Sequence, residues 1–303
     1  MKAYIGVTDT RWAQFLAARP HLTEANFWRP SGRGFSALNV GEPFAFKTHY
    51  PENRIVGLGI FSGFMTMLVS EAWDLFGEGN GVPSLTEMRT RIRSYRRGQS
   101  DASDPVIGCI MLRDVSFLPA SAHLPAPEDW APNIVSGKGY EAMGSPVEEL
   151  MAELLRTTAQ AYGSLTVPGS VFGDPRLTPL RLGQRSFKAM VLNSYNRRCA
   201  FTGDKIVPVL QAAHIQPVSE GGENRLDNGL LLRSDVHTLF DSGYLGLDDK
   251  YRLRVSPGLR REFGNGEEFY ARAGRVVDVP GRRVDRPAKE FLQWHADTRF
   301  RAA

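Results

Sequence analysis

The segment 199–243 constrains this chain of 303 residues more strongly than any other part of the sequence. An apolar run of strand-like length, VPVLQAAHI, leads to His214. The following stretch, 219–228, is rich in glycine and polar residues and predicts a loop. Residues 234–241 predict a short helix. A strand, a loop and a helix therefore follow one another, and each carries polar side chains that a shared site could use.

The predicted helix carries a pair of metal-ligand side chains. His237 and Asp241 are four residues apart, so on a helix they lie on one face, one turn from each other. An imidazole nitrogen and a carboxylate oxygen form a ligand set suited to a divalent cation. A carboxylate in the last turn also faces the negative end of the helix dipole, at a cost of about 0.3–1 kcal/mol that a cation would offset. The alternative is that His237 is a hydrogen-bonded core histidine and Asp241 a solvated surface acid.

The predicted strand ends with a candidate base. Neutral imidazole has an unperturbed pKa of about 6.5, so His214 can take a proton from water at neutral pH. Facing a metal on the following helix, it would place the attacking water opposite a leaving oxygen. Asn228 lies between the two histidines, in the turn-like LDNG. Its amide could accept from the histidine and hold the ring, or it could simply favour the turn.

Together these residues resemble the HNH nucleases, whose fold is a β-hairpin followed by an α-helix around one metal ion. The shared patterns are A-H-I-x-P, N-G-L-x-L and H-x-L-F-D-x-G, present here as AAHIQP, NGLLL and HTLFDSG. The resemblance extends over about 181–247. It implies a metal-dependent endonuclease in which His214 is the general base and Asn228 its orienting residue. It also implies that His237 and Asp241 are the metal ligands.

One departure from the family concerns the positions just before the base. Many HNH nucleases carry an acidic metal ligand there, whereas this chain has Ala212 and Ala213. The resemblance then leaves two protein ligands, with water and a DNA phosphate completing the coordination shell. Magnesium commonly keeps several waters, and a histidine ligand also suits manganese, cobalt or nickel. We therefore expect one divalent metal ion per nuclease site, chosen among Mg, Mn, Co and Ni.

Length, charge and cysteine content set the broad class. A chain of 303 residues is long enough for two domains, each with its own core. The 37 Lys and Arg residues against 33 Asp and Glu residues leave a net charge of +4, which is compatible with a nucleic-acid partner. Cys109 and Cys199 lie far apart and predict no zinc knuckle. The sequence lacks an apolar run of about 18 residues and a signal peptide, so we expect a cytoplasmic protein with reduced thiols and no membrane partner.

The N-terminal half has the pattern of a separate domain. Residues 1–145 alternate short strand-like segments with Gly, Pro and Asn turns, which predicts a small β-barrel with flanking helices. Residues 145–162 have apolar positions at helical spacing, and the Gly- and Pro-rich stretch 163–179 predicts a linker. The expected class is α+β, with a domain at 1–145, a helix and linker at 146–180, and a nuclease domain at 181–303.

Three tryptophans of this half stand among polar, turn-forming neighbours, in NFWRPSGRGF, SEAWDLFGEGNG and DWAPNIVSGKGY. Aromatic faces beside hydrogen-bonding groups are what a pocket for an extruded base requires, although ordinary core or rim aromatics are the alternative. With YIGVTDTRW and GLGIFSGF, these segments resemble the EVE domains, PUA-like barrels related to the YTH readers of modified bases. The resemblance covers about 1–149 and implies that one modified nucleobase is flipped into an aromatic cage. The implied cage and base-edge residues, with one lysine nearer a phosphate, are Asn26, Trp28, Ser62, Trp73, Trp130 and Lys138.

The two resemblances together predict a modification-dependent restriction endonuclease, in which an EVE-like domain is fused to an HNH nuclease. Its expected partner is double-stranded DNA that contains 5-methyl- or 5-hydroxymethylcytosine. A single HNH site cuts one strand, so double-strand breaks need a homodimer, which we expect, or successive events. Two alternatives stay open. One is an HNH nuclease that acts on RNA or unmodified DNA, and the other is a modified-base binding protein that does not cleave.

Overall fold

The chain forms two compact units, Met1–Ser186 and Phe187–Ala303. The computed structural model describes residues 2–96, 103–141, 147–162 and 183–302. Helices and strands occur in both units, so the expected α+β class is confirmed. The predicted linker at 163–179 and the predicted helix start at Ser145 lie outside the described residues. No helix among the described residues is long and apolar enough to cross a membrane.

A seven-stranded sheet dominates the first unit. Its strands are β1 (Lys2–Thr8), β2 (Ala25–Arg29), β3 (Pro43–Thr48), β4 (Arg54–Leu68), β5 (Val106–Phe117), β6 (Leu124–Pro125) and β7 (Gly137–Glu141). The strand order is β2-β5-β4-β3-β1-β7, and β6 pairs with β4. The β1–β3 pair is parallel and the other pairs are antiparallel. Within the described residues no ladder joins β2 to β7, so the strands predicted to form a barrel follow an open path.

Both faces of this sheet are buried. The helices of the unit are α1 (Thr10–Ala17), α2 (Val69–Phe76), α3 (Leu85–Tyr95) and α4 (Glu148–Tyr162). On one face, Phe44 and Phe46 of β3 pack with Trp12 of α1, and the Trp12 and Phe46 ring centroids are 5.2 Å apart. Ala45, between the two phenylalanines, packs with Ile5 on the other face. Each large side chain buried in this way stabilises the folded state by about 1.5–3 kcal/mol. The packing of β3 therefore fixes the position of Trp12 on this face of the sheet.

The second unit contains the predicted hairpin and helix. This unit begins at Phe187, inside the helix α5 (Gln184–Ser194). The elements that follow are β8 (Leu210–His214), β9 (Gly229–Arg233), α6 (Ser234–Asp241), β10 (Leu245–Leu247), β11 (Leu253–Val255), α7 (Pro257–Phe263), α8 (Glu267–Tyr270) and α9 (Lys289–Thr298). β8 and β9 pair antiparallel, with His214 opposite Gly229. α6 begins at the residue after β9 ends. The expected order of β-hairpin and α-helix is confirmed.

The helix α9 supports α6 through a buried histidine. His295 is 3% exposed, and its Nε2 donates to the backbone oxygen of Phe240 at 3.0 Å. Its ring also stacks on the Phe240 ring, with centroids 3.9 Å apart. Burial lowers the pKa of His295 to about 4, although the hydrogen bond to the backbone of Phe240 acts to raise this pKa. His295 therefore folds as a neutral side chain whose role is to hold the last turn of α6.

This neutral histidine predicts a loss of stability in mild acid. An unfolded histidine titrates near pH 6.5 and the folded one near 4, so between these values the unfolded state binds more protons. The free energy of unfolding should fall as the pH drops through this window, by about 3 kcal/mol over the whole interval. Chemical denaturation at several pH values measures this dependence. The variant His295→Gln should show a shallower loss between pH 6.5 and 4, and an unchanged slope would contradict the assignment.

Candidate active site

His214 forms one side of the candidate site, at the last residue of β8. Its ring stacks on Phe187 of α5, with centroids 4.2 Å apart and planes at 11°. α5 reaches this position because residue 229 is a glycine. A Cβ there would lie 2.7 Å from Val191 Cγ2 and 3.0 Å from Phe187 Cε2. The close approach of α5 to β9 therefore gives the imidazole a flat apolar support.

The hydrogen bonding of His214 leaves one ring nitrogen for proton transfer. Nε2 lies 2.8 Å from Oδ1 of Asn224. When Nε2–H donates to that oxygen, Nδ1 carries the lone pair that can accept a proton from water. Burial lowers the pKa of His214, and the bond to Asn224 acts in the opposite direction. The ring is therefore neutral at pH 7, which is the state that a general base needs.

Asn228 holds the loop after His214 rather than the ring itself. This asparagine is fully buried, and its Oδ1 accepts from the backbone nitrogen of Gln216 at 2.9 Å. Its Nδ2 donates to the backbone oxygens of Gln216 and Glu223, both at 2.9 Å. All three bonds close the loop that connects β8 to β9. The direct partner of the His214 ring is Asn224, which the sequence analysis missed and which only its place in the polar run EGGENRLDN could have suggested.

The helix α6 forms the other side of the site. His237 Nε2 and Asp241 Oδ2 are 3.3 Å apart, as the spacing of four residues predicts. His237 Nδ1 lies 2.7 Å from Oε1 of Gln211 on β8. Burial raises the pKa of Asp241, whereas His237 and Arg299 act to lower it. The two sides also interact, because His237 and Asp241 both influence the pKa of His214, in opposite directions.

His237 and Asp241 fit a divalent cation as a two-ligand set. In an octahedral site with metal–ligand bonds of about 2.1 Å, neighbouring ligand atoms are roughly 3 Å apart, close to the spacing found here. When His237 Nδ1–H donates to Gln211, Nε2 presents its lone pair beside a carboxylate oxygen, and a cation stabilises that pairing. Among the described residues, no group of three or more His, Cys, Asp and Glu side chains is arranged to hold a metal. A cation held by His237 and Asp241 would take the rest of its coordination shell from water or substrate.

The first unit contains an open cavity of about 570 Å³. Trp28 is the one predicted cage residue among those that line it, and its Nε1 donates to the backbone oxygen of Asn80 at 2.9 Å. Further aromatic lining comes from Trp12, Phe27 and Tyr95. The carboxylate of Asp9 also lines the cavity. The combination of aromatic faces and a carboxylate makes this cavity the candidate base pocket.

The other predicted cage residues lie elsewhere in the first unit. Asn26 is fully buried and donates to Asn80 Oδ1 at 2.9 Å, so it supports the segment that holds Trp28. Ser62 is fully buried in β4. Trp73 packs against the apolar cluster between α2, α3 and β5. Asn26 and Ser62 are buried and Trp73 is partly buried, and none of the three is among the residues that line the cavity.

The two remaining candidates lie beside different partners. Trp130 packs against the core on the other face of the sheet, with Lys47 Nζ 4.8 Å from its ring centroid. Lys138 Nζ is 2.6 Å from Asp129 Oδ2, so its charge is paired within the protein. Neither residue is among those that line the cavity. Asp9 and Trp12 do line the cavity. Both belong to the segment YIGVTDTRW, which the sequence analysis used only for the resemblance to EVE domains.

The comparisons with known proteins support the nuclease domain. Residues 199–248 match a family model described as HNH endonuclease. This segment contains β8, β9 and α6, and so includes His214, His237 and Asp241, whereas Phe187 of α5 lies before it. The second unit therefore carries an HNH endonuclease domain, and the prediction of a nuclease is confirmed. No curated protein matches the chain.

Among solved structures, the chain is similar to ASCH from Zymomonas mobilis, with a TM-score of 0.35 and 11% identity over 50% of this chain and 94% of that chain. A mutant of that protein gives a TM-score of 0.36 at 11% identity, over 50% of this chain and 98% of that chain. The modification dependent TagI restriction endonuclease gives 0.27 at 22% identity, over 40% of this chain and 39% of that chain. The match thus spans less than half of that endonuclease. The resemblance of residues 1–149 to EVE domains stays a prediction.

If His214 is the general base, its removal should slow hydrolysis strongly without affecting metal binding at His237 and Asp241. His214→Ala should lower the single-turnover cleavage rate of plasmid DNA by a factor of about 100 to 10,000, the usual contribution of a general base. Calorimetric titration with Ni²⁺ should still give the wild-type affinity, because His237 and Asp241 remain. His21→Ala, at an exposed histidine of the first unit, is the matched control and should behave as wild type. A cleavage rate that survives the loss of His214 would identify another base.

Proposed function

We propose that the protein is a metal-dependent DNA endonuclease that selects its substrate through a modified cytosine bound in the first unit. The observation that carries the nuclease half is the arrangement of His214, His237 and Asp241 within the matched HNH segment. The domain assignment follows from this proposal: residues 1–145 bind the modified base, residues 146–180 connect, and residues 181–303 cleave.

The reaction proceeds by attack of water on phosphorus. His214 Nδ1 takes a proton from the water, the water oxygen forms a bond to phosphorus, and the bond from phosphorus to the 3′ oxygen breaks. A divalent cation (Mg, Mn, Co or Ni), held by His237 and Asp241, supplies charge stabilisation for the phosphate and the leaving oxygen when bound. The departing 3′ oxygen takes a proton from solvent water, so the products carry a 3′ hydroxyl and a 5′ phosphate. One such site cuts one strand, so we propose that a homodimer makes double-strand breaks.

The cavity of the first unit has the chemistry for an extruded cytosine. The rings of Trp28 and Tyr95 have centroids 6.1 Å apart and planes at 59°, so a flipped base can stack on one of them and meet the other at an angle. The Asp9 carboxylate can accept from the exocyclic amino group of cytosine, a pairing that discriminates this base from thymine. Val7 and Val135 add apolar lining that suits a substituent at carbon 5. We therefore propose 5-methyl- or 5-hydroxymethylcytosine as the bound base.

Arginines around the same cavity suit the DNA backbone. Arg29, Arg33 and Arg96 are among the lining residues. A flipped nucleotide brings its own phosphates to the mouth of the pocket, where guanidinium groups can contact them.

Matched plasmid substrates test the proposed selectivity. One plasmid preparation carries unmodified cytosine, a second 5-methylcytosine and a third 5-hydroxymethylcytosine, each incubated with protein and Mn²⁺. We expect cleavage of at least one modified plasmid to exceed that of the unmodified plasmid by at least about tenfold, which corresponds to about 1.4 kcal/mol. Equal cutting of all three would refute the base-binding assignment and leave the nuclease assignment standing. Cleavage of RNA alone would refute both the cytosine and the DNA assignments.

Asp9 gives a second, residue-level prediction. Its Oδ1 caps α1 by accepting from the Arg11 nitrogen at 2.8 Å, and its Oδ2 lies 3.0 Å from the Tyr95 hydroxyl. Asp9→Asn keeps a good capping side chain but removes the charged acceptor. Affinity for a modified-cytosine duplex, measured by fluorescence anisotropy, should fall about five- to hundredfold, in line with the 1–3 kcal/mol of a base-edge contact. Asp74→Asn, at an exposed position on α2, should bind as wild type. Unchanged binding by Asp9→Asn would remove Asp9 from the base contacts.

A further inference from the structure

The strand β8 contributes a second polar side chain to the site besides His214. Gln211 lies three residues before His214 and opposite Leu232 in the hairpin. Its Oε1 is 2.7 Å from His237 Nδ1, which makes it the strand's contact with the metal-binding side. No role follows for Gln211 from the HNH patterns quoted above, which begin at Ala213. The contact therefore needs its own explanation.

The chemistry of the ring explains the contact. A histidine that binds a cation through Nε2 must carry its proton on Nδ1, and that proton needs an acceptor. The Gln211 amide oxygen supplies one at hydrogen-bond distance. The same bond turns Nε2 towards Asp241 Oδ2, 3.3 Å away. Without the acceptor, the ring would be free to place its proton on Nε2 and to rotate away from the carboxylate.

Gln211 also links the base to the cation position. The residue directly before His214 is Ala213, whose methyl side chain has no donor atom, so β8 supplies no ligand at the position where many HNH nucleases have one. Gln211 instead reaches the metal-binding helix from the same strand that ends in His214. A rigid strand segment therefore sets both the base and the orientation of one ligand. Because the strand is short, the separation between base and cation is defined within a few residues.

We infer that Gln211 is a positioning residue that fixes the tautomer and the direction of His237 for a divalent cation. This inference rests on the proposed function, since it assigns a role towards the same metal. Gln211 does not ligate the cation itself, because its Oε1 contacts the ring nitrogen that faces away from Asp241. Its effect acts through His237, and it should therefore appear first in metal affinity.

Two variants with opposite chemistry test the inference. Gln211→Leu removes the acceptor at an exposed position, so the fold should tolerate it, and Gln211→Glu keeps an acceptor of similar length. Calorimetric titration with Ni²⁺ should show a 10- to 100-fold weaker affinity for Gln211→Leu, the usual effect of losing an outer hydrogen bond to a ligand. Gln211→Glu should stay within about threefold of wild type. Gln293→Leu, at an exposed glutamine of α9 that bonds Asp297, is the matched control and should bind as wild type.

A kinetic measurement separates positioning from a general structural effect. Excess Mn²⁺ should restore most of the cleavage rate of Gln211→Leu, because the lost interaction lowers occupancy of the site rather than the rate of the loaded enzyme. Ni²⁺ affinity of Gln211→Leu equal to wild type would overturn the inference. So would a cleavage rate that stays low at saturating Mn²⁺ while the affinity is unchanged.

The same titrations distinguish this inference from the proposed function. His237→Ala should abolish Ni²⁺ binding at the site. If it does so while Gln211→Leu binds as wild type, the metal site stands and the role of Gln211 fails. If His237→Ala binds Ni²⁺ as wild type, the metal site itself is wrong and the role of Gln211 fails with it.

Discussion

The antiparallel pairing of β8 with β9 is the constraint on which the site depends. The register places His214 opposite Gly229 and Gln211 opposite Leu232. A slip by one residue would turn every side chain of β8 to the other face of the hairpin, and would take Gln211 away from His237 on α6. Since α6 follows β9 without an intervening loop, the register also sets where His237 and Asp241 stand. The hairpin therefore sets the backbone positions of His214, His237 and Asp241 before any side chain adjusts.

Buried polar contacts keep this hairpin in its register. Asn228 makes three hydrogen bonds to loop backbone while fully buried, so its removal would leave backbone groups unsatisfied at a cost of about 1–3 kcal/mol each. The backbone nitrogen of Ile215 also donates a hydrogen bond to the backbone oxygen of Asn228 at 2.9 Å. On the far side, His295 holds Phe240 in the last turn of α6. These contacts explain how a short hairpin and a helix of two turns can hold reactive groups in fixed places.

The nuclease segment was predictable because its information is local. His214 lies on β8 and His237 and Asp241 lie on α6, with only a loop and β9 between them, so strand length and helical spacing were enough to predict that they come together. Asn224 and Gln211 escaped the sequence analysis because their partners depend on loop closure and on how α6 turns against β8. For Asn228, the sequence predicted the local turn but not the hydrogen bonds of the side chain. Its turn position was visible in LDNG, whereas its bonds to Gln216 and Glu223 required the folded loop.

The cavity that we propose as the base pocket was less predictable because it depends on sheet order. Trp28 and Trp130 both stand in turn-rich sequence, yet one lines the cavity and the other packs on the opposite face of the sheet. Which face a strand residue occupies relative to a distant helix follows from long-range pairing, such as the parallel β1–β3 ladder. The position of Asp9 in the cavity depends on two contacts in the folded chain. Its side chain caps α1, and its carboxylate also accepts from the hydroxyl of Tyr95, which is 86 residues away in sequence.

The most direct test of the two-sided site is an anomalous-scattering map from crystals of the protein grown with Mn²⁺. The account predicts one peak in the second unit, about 2.0–2.3 Å from His237 Nε2 and an Asp241 oxygen, with His214 across from it. Gln211 should accept from Nδ1 of the liganded ring. A manganese ion bound elsewhere in this unit, with His237 and Asp241 not coordinating it, would contradict the account.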